Sequence, residues 1–179
     1  SIDRDNLRSS ESGIKYFVLS ALSSGLLLYG CSLLYGFTGS TNFDLIANQL
    51  TKENVGAVFA MVFILVGLGY KISAVPFHFW TPDVYEGSPT SITAYLSVAP
   101  KAAGFALIIR FFNIAFGSNS AMGSDAWSSL NSLPWPFLIA LLSAATMTIG
   151  NLVAIQQQSV KRMLAYSSIA HAGYMMMAI

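Results

Sequence analysis

"VGAVFAMVFILVGLGYKISAVPFHFW", residues 55–80, is a mostly apolar stretch that exceeds the about 20 residues a helix needs to cross a bilayer. Pro76 removes a backbone donor and clashes with the turn before it, so one straight helix through it is unfavourable. We therefore predict a helix over about 55–70, a break near Lys71 to Pro76, and a second short piece. In lipid, such a break is tolerated only inside protein or beside a water-filled cavity, which indicates an ion path.

The composition is that of a membrane protein. Of the 179 residues, 54% are hydrophobic and 9% are charged, which leaves too little polar surface for a soluble domain. The net charge is +1 and the basic residues are scattered, so we expect no nucleic-acid partner. A single cysteine, Cys31, argues against a disulfide framework or an iron–sulfur site and is interpreted as a packing residue.

Four further apolar runs, at 14–36, 91–116, 136–155 and 163–179, have the length of membrane-crossing helices. Together with the broken helix over 55–80 they predict an all-α membrane protein, a polytopic helical bundle with about five transmembrane helices in a single domain, 1–179. The first residues are polar and do not begin with methionine, and the last lie within an apolar run. We therefore expect an internal piece of a longer chain.

The distribution of cations predicts the orientation, because Lys and Arg in short connections favour the cytoplasmic side. Two groups of cations flank the spans, namely Arg4, Arg8 and Lys15 before the first span and Lys161 and Arg162 before the last. If the broken helix is one crossing, both groups lie on the same side, which we assign to the cytoplasm. The loop at 81–90 should share that side, although it carries two acids and no cation.

Those two acids, Asp83 and Glu86, lie among prolines and a glycine in "TPDVYEGSP". We interpret them as part of a turn that caps the next helix rather than as an acid–base pair. Glu11 and Lys15 are one helical turn apart, which predicts a surface ion pair at the membrane entry.

Lys71 and Lys101 are the two cations that the spans place deep in the membrane. Lys101 lies about ten residues into its span, or about 15 Å at the helical rise, near the bilayer centre. Burial disfavours the ammonium form, so such a lysine can take up and release protons as a carboxylate approaches or withdraws. No Asp or Glu lies within any apolar run, so we expect that carboxylate outside this piece. The alternatives are that Lys71 merely ends a helix and that Lys101 is a structural cation paired with a carboxylate.

His171 is the third candidate for a proton relay, because it lies near the middle of the last span. Ser167, Ser168 and Tyr174 have spacings that could orient its imidazole or bind water. The alternative is a histidine that hydrogen-bonds to a neighbouring helix for packing.

The secondary candidates are three further residues, His78, Pro76 and Arg110. His78 lies beside aromatic residues and two positions after Pro76, which favours an anchor or a gate near the break over metal binding, because no second ligand has a zinc-site spacing. Arg110 lies closer to the other surface, so an arginine that reaches the interface is the simpler interpretation.

Three motifs connect the chain to a known family, namely "KISAVPFHFWTPDVYEGSPT" (71–90), "SVAPKAAGFALIIRF" (97–111) and "SVKRMLAYSSIAHAGYM" (159–175). Together they resemble the antiporter-like membrane subunits of respiratory complex I, of the subunit N (subunit 2) type. The third motif also occurs in the large subunits of multisubunit sodium/proton antiporters. The resemblance covers nearly the whole chain and implies a fourteen-helix fold with two inverted five-helix repeats, of which this piece holds about helices six to ten.

The resemblance also implies residue roles. Lys71 would be the lysine of the broken seventh helix, paired with a fifth-helix glutamate that precedes residue 1. Lys101 would be the eighth-helix lysine that links two half-channels. His171 matches a tenth-helix position that is often histidine and sometimes glutamine, and a charged residue of the twelfth helix would follow residue 179.

The implied function is proton translocation by a membrane subunit of NADH:quinone oxidoreductase that carries no redox centre. We expect no cofactor or metal on this chain, whereas the whole complex would use NADH or ferredoxin, FMN, iron–sulfur clusters and quinone. The expected partners are the other membrane subunits, including sister antiporter-like subunits, and the lipid bilayer. The expected location is a bacterial plasma (inner) membrane, with a thylakoid or mitochondrial inner membrane as alternatives. The alternative functions are a sodium/proton antiporter subunit and a non-catalytic membrane scaffold.

Overall fold

A computed structural model describes residues 7–50, 55–116 and 135–179. These ranges form seven helices: α1 (Leu7–Thr38), α2 (Phe43–Gln49), α3 (Val55–Ile72), α4 (Trp80–Gly87), α5 (Thr90–Ala115), α6 (Trp135–Ile155) and α7 (Val160–Met176). The described residues contain no strand, so the prediction of an all-α membrane fold is confirmed.

Among the described residues, four helices are long and apolar enough to cross a membrane, namely α1, α3, α5 and α6. They coincide with the four predicted spans that begin at residues 14, 55, 91 and 136, although α1 begins earlier, at Leu7. The helix α7 has 17 residues and is shorter than these four. Its passage through the membrane stays a prediction.

The helices pack as two close pairs that are joined by α4 and α5. The first pair is α1 with α3, and the second is α6 with α7. The short helix α4 contacts both α1 and α7, while α5 lies against α2 and α3 and touches α7. The two pairs are therefore connected mainly through the second half of the broken helix and through α5.

Glycines allow α6 and α7 to approach closely. A Cβ atom added to Gly150 would lie 2.9 Å from the Ala170 nitrogen, and one added to Gly173 would lie 2.8 Å from the Met147 nitrogen. Each helix thus presents a glycine to the backbone of the other, which is the small-residue packing that membrane helices commonly use.

The break between α3 and α4 lies where the sequence predicts it. Ser73 adopts a left-handed φ of 63°. The Ser73 N–H donates to Tyr70 O at 3.1 Å and the Ala74 N–H donates to Gly69 O at 2.8 Å. These two bonds form a Schellman motif, which satisfies carbonyls at the end of α3. Lys71 consequently lies in the last turn of the helix.

Side chains from the start of α4 complete the break. The Trp80 indole Nε1 donates to Tyr70 O at 3.1 Å, and the Thr81 hydroxyl donates to Ser73 Oγ at 2.8 Å. The intervening Val75–Pro76 peptide is cis. The Tyr70 carbonyl and the hydroxyls of Ser73 and Thr81 are thus paired inside the protein, as the interior of a membrane requires.

The prediction of a turn around Asp83 and Glu86 was wrong. Both acids belong to α4, which runs from Trp80 to Gly87. Pro82 is compatible with this helix because a proline in the first turn removes an N–H that has no intrahelical partner there. The acids are held by residues of other helices rather than by a local cap.

Candidate functional site

Lys101 is a buried cation on α5 with two hydrogen bonds to one residue of α7. The residue is 3% exposed, and its Nζ donates to Ser168 Oγ at 2.7 Å and to Ser168 O at 3.1 Å. Among the described residues its partners are therefore neutral oxygens, not the carboxylate of the structural alternative. Neutral acceptors stabilise the ammonium less than a carboxylate does.

Lys71 lies beside α5, close to Lys101. A Cβ atom added to Gly104 would lie 4.0 Å from Lys71 Cβ and 2.7 Å from Ile72 Cγ2. Gly104 is three residues beyond Lys101, so the two positions are neighbours on the helix surface. The end of α3 thus reaches α5 about one turn from Lys101. Unlike Lys101, Lys71 has an exposed side chain.

His171 is exposed and is oriented by its own helix. Its Nδ1 lies 2.7 Å from Ser167 O, and its ring packs edge-on against Tyr174 with centroids 5.6 Å apart. The Ser167 contact is through the backbone carbonyl, so the expected role of its hydroxyl stays a prediction. Ser168 bonds to Lys101 instead. Ser168 precedes His171 by three residues on α7, so Lys101 contacts α7 about one turn from His171.

A cavity of about 450 Å³ connects this region with the start of α7. Its lining comes from α4, α5 and α7 and includes Tyr85, Ser97, Lys161, Ser168 and His171. The buried Tyr85 hydroxyl faces Ser168 but has no partner with full hydrogen-bond geometry among the described residues. A water in this cavity would find hydroxyl partners along its wall. Ser168 thus lies both on the wall of the cavity and within hydrogen-bond distance of Lys101.

The secondary candidates lie apart from this cavity. His78 is buried in the break, where its ring stacks on Phe79 at 4.6 Å and faces Tyr166 at 6.4 Å. Its Nδ1 has no hydrogen-bond partner among the described residues. Pro76 is exposed in the break and Arg110 is exposed on α5. The anchoring or gating role of His78 stays a prediction.

Ion pairs join the start of α1, the helix α4 and the start of α7. Lys15 Nζ lies 2.6 Å from Glu11 and 2.8 Å from Asp83, while Arg162 Nη1 lies 2.9 Å from Asp83 and 3.2 Å from Glu86. The predicted pair of Glu11 and Lys15 is confirmed. We call these five residues the ion-pair cluster; they line a cavity of about 340 Å³.

The ion-pair cluster explains the acids in the loop that lacked cations. Burial by itself would raise the pKa of Asp83, but hydrogen bonds and charges from Lys15 and Arg162 hold that pKa below its ordinary value. The acids are thus neutralised by cations from other helices. Because α1 and α7 begin at this cluster, their first turns lie at the same end of the bundle, as the cation pattern predicts.

The sequence did not identify the roles of Ser168 and Tyr85. Serine and tyrosine are common in helices, so neither type signals a site by itself. A buried lysine does need an acceptor, and that need is the one signal that could have directed attention to hydroxyls on the helix that packs beside it.

The described residues contain no group of three or more His, Cys, Asp or Glu side chains that could hold a metal ion.

The chain is similar to known membrane proteins over nearly its whole length. The family model described as "NADH:quinone oxidoreductase/Mrp antiporter, TM" matches residues 1–179. NADH-quinone oxidoreductase subunit N of Pelagibacter ubique (strain HTCC1062) is 55% identical over 174 residues, which cover 97% of this chain and 34% of that protein.

Two solved structures have the same fold. A chain of respiratory complex I from Thermus thermophilus with bound aureothin has a TM-score of 0.77 and 39% identity, over 97% of this chain and 35% of that one. A chain of the membrane-bound sulfane sulfur reductase, an archaeal respiratory membrane complex, has a TM-score of 0.82 and 28% identity, over 98% and 34%. The chain thus spans about a third of the length of its relatives.

Proposed function

Since the chain belongs to the NADH:quinone oxidoreductase/Mrp antiporter transmembrane family, we propose that it forms part of a proton-translocating membrane subunit of NADH:quinone oxidoreductase (complex I). Relatives named NADH-quinone oxidoreductase subunit N, with identities from 46% to 55%, support this member of the family over the sodium/proton antiporter. The complex as a whole would use NADH or ferredoxin, FMN, iron–sulfur clusters and quinone.

The observation that carries the proposal is the buried Lys101 with its neutral partner at a hydroxyl-lined cavity. A proton moves along the cavity past Tyr85 and Ser168 to Lys101, and from there toward Lys71 at the contact of α3 with α5. His171, on the wall of the same cavity, exchanges protons with it. A buried lysine is suited to this role because its charged and neutral forms are brought closer in free energy by desolvation.

The exposed side chain of Lys71 supports a partner from another part of the parent subunit. We assign that partner to a carboxylate, which stabilises the ammonium when it is near and releases the proton when it withdraws. Quinone reduction elsewhere in the complex drives the change in pairing. The subunit itself passes no electrons.

In the membrane, α1, the broken pair α3 and α4, α5, α6 and α7 form five crossings. The ion-pair cluster lies at the cytoplasmic end, because the cations Lys15 and Arg162 favour that side. The partners are the other membrane subunits of the complex, including sister antiporter-like subunits. The membrane is the bacterial plasma membrane, which agrees with the bacterial sources of the relatives.

The test substitutes Lys101 in the intact parent subunit within its complex, in sealed vesicles. Lys101→Met removes the charge, whereas Lys101→Arg keeps a cation that does not release its proton at ordinary pH. Leu107→Met, at an exposed apolar position of the same helix, is the control. Electron transfer and proton uptake are recorded together.

A relay group is expected to lose proton uptake per electron, or both rates together, in the methionine and the arginine variants, while the control stays normal. A structural cation would tolerate arginine. Normal pumping in both Lys101 variants would show that the proposal is wrong. Repeating the assay without sodium tests the antiporter alternative, which requires that proton movement depend on sodium.

A further inference from the structure

One buried N–H in the helix break is bound by a residue of a different helix. The Val75 N–H donates to Thr146 Oγ1 of α6 at 3.0 Å. Both residues are buried, with Thr146 fully so. The Thr146 hydroxyl donates in turn to Leu142 O at 2.6 Å, which directs its free lone pairs away from its own helix.

This hydrogen bond meets a need that the break cannot meet alone. The Schellman motif uses the N–H groups of Ser73 and Ala74, and Pro76 has no N–H. The Val75 N–H therefore depends on an acceptor outside the turn, because a buried backbone donor without a partner is unfavourable. Thr146 supplies that acceptor from α6.

The same face of α6 is also bonded to α7. Ser143 lies three residues before Thr146, and its hydroxyl donates to Gly173 O at 2.7 Å. The helix α7 in turn carries Ser168, which binds Lys101. One helix face thus connects the break next to Lys71 with the helix that holds the partner of Lys101.

We propose that Thr146 is a positioning residue for proton transfer, which holds the break, and with it Lys71, in register with Lys101 and Ser168. The inference rests on the proposed function, since it concerns the geometry of that proton path. Without the hydroxyl, the Val75 N–H seeks another partner and the end of α3 shifts against α5. Proton transfer between the two lysines then becomes less efficient, although neither lysine is changed.

The experiment compares Thr146→Val with Thr146→Ser in the intact parent subunit within its complex. Valine keeps the shape but removes the hydroxyl, and serine keeps the hydroxyl. Thr148→Val is the matched control, because Thr148 is exposed on the same helix and its hydroxyl donates to Ala144 O of that helix at 2.8 Å. Protons per electron are measured in sealed vesicles, with Lys101→Met alongside.

A second readout does not depend on pumping. Amide hydrogen exchange over residues 73–79 reports whether the break has loosened, and loss of one hydrogen bond is expected to speed exchange at Val75 about tenfold. The valine variant should exchange faster and pump fewer protons per electron, and the serine and Thr148 variants should match the wild type.

The positioning role is overturned if Thr146→Val keeps the wild-type ratio of protons to electrons, or if serine fails to restore it. It is also overturned if Thr146→Val prevents assembly while Thr146→Ser permits it, because the role is then structural. Lys101→Met separates the two proposals. If it abolishes pumping while Thr146→Val does not, only the positioning role fails; if Lys101→Met itself pumps normally, the proposed function fails.

Discussion

Both hydrogen bonds of the buried Lys101 ammonium, which lies on an apolar helix, are made to one serine, Ser168. An ammonium group has three N–H donors, and Ser168 accepts two of them through its hydroxyl and its carbonyl. No other acceptor among the described residues bonds to Lys101, so its third donor has no protein partner there.

Ser168→Ala tests this balance at the level of one atom. It removes the hydroxyl acceptor and keeps the carbonyl, and hydrogen bonds to charged groups contribute about 1.5–3 kcal/mol. We expect the charged form of Lys101 to lose stability by that order and proton uptake per electron to fall, in a complex that still assembles. Ser20→Ala is the control, because Ser20 is half-buried on α1 and its hydroxyl donates to Phe17 O of the same helix. Equal pumping by both variants would contradict the assigned role of Ser168.

Among the helices, the contact between α6 and α7 has little tolerance for added volume. We expect Gly150→Ala to destabilise the pair by about 1–3 kcal/mol, because the new Cβ meets the Ala170 backbone, which cannot rotate away. Gly25→Ala on α1 is the matched control, since an added Cβ there meets no described atom within 4 Å. It should be neutral or stabilising by up to about 1 kcal/mol. The amount of assembled complex and its thermal midpoint measure the difference.

The helix α4 is fixed by charges, so its attachment depends on pH. The pKa of Asp83 is lower in the folded protein than in the unfolded chain. Its ion pairs therefore stabilise the fold at pH values above its ordinary pKa, and that stability is lost as the pH falls through the depressed pKa. We expect the thermal midpoint of the complex to fall at acidic pH, and Asp83→Asn to lower the midpoint at neutral pH while weakening its acid dependence. An unchanged acid dependence in Asp83→Asn would refute this origin.

The comparison of α3 with α4 shows which features a sequence can predict. The position at which α3 ends can be predicted from local chemistry, because a lysine and a proline inside an apolar run indicate a break within a few residues. The helix α4 cannot, since Pro82, Gly87 and the following Pro89 suggest a turn. Lys15 and Arg162 hold its acids from 68 and 79 residues away.

In the candidate site, too, the sequence identifies some residues and not others. Lys101 was identifiable because a charge near the centre of an apolar span is rare and costly. Its partner Ser168 was not identifiable as such, because the pairing depends on how α5 and α7 pack. Thr146 had no signal at all in the sequence, since it accepts from a backbone N–H that lacks an intrahelical acceptor only because the helix breaks.

For the molecule as a whole, the connectivity predicts which ends of the helices share a side of the membrane. We expect single cysteines at Ser91 and Gln158 to react with an impermeant maleimide from the cytoplasmic side, in a Cys31→Ala background. A cysteine at Thr41 should react only from the other side. All three positions are exposed. Labelling of Ser91 and Gln158 from opposite sides would contradict the common location of the ends of α4 and α6.

The ion-pair cluster also constrains how the protein is made. Domains are synthesised from the N-terminus, so Lys15 and Asp83 are both available long before Arg162 leaves the ribosome. Until α7 arrives, Glu86 lacks the arginine that pairs with it in the finished protein, and Asp83 has one cation instead of two. The helix α7 therefore completes the ion-pair cluster during synthesis, because it brings the cation that pairs with Glu86 and is the second partner of Asp83.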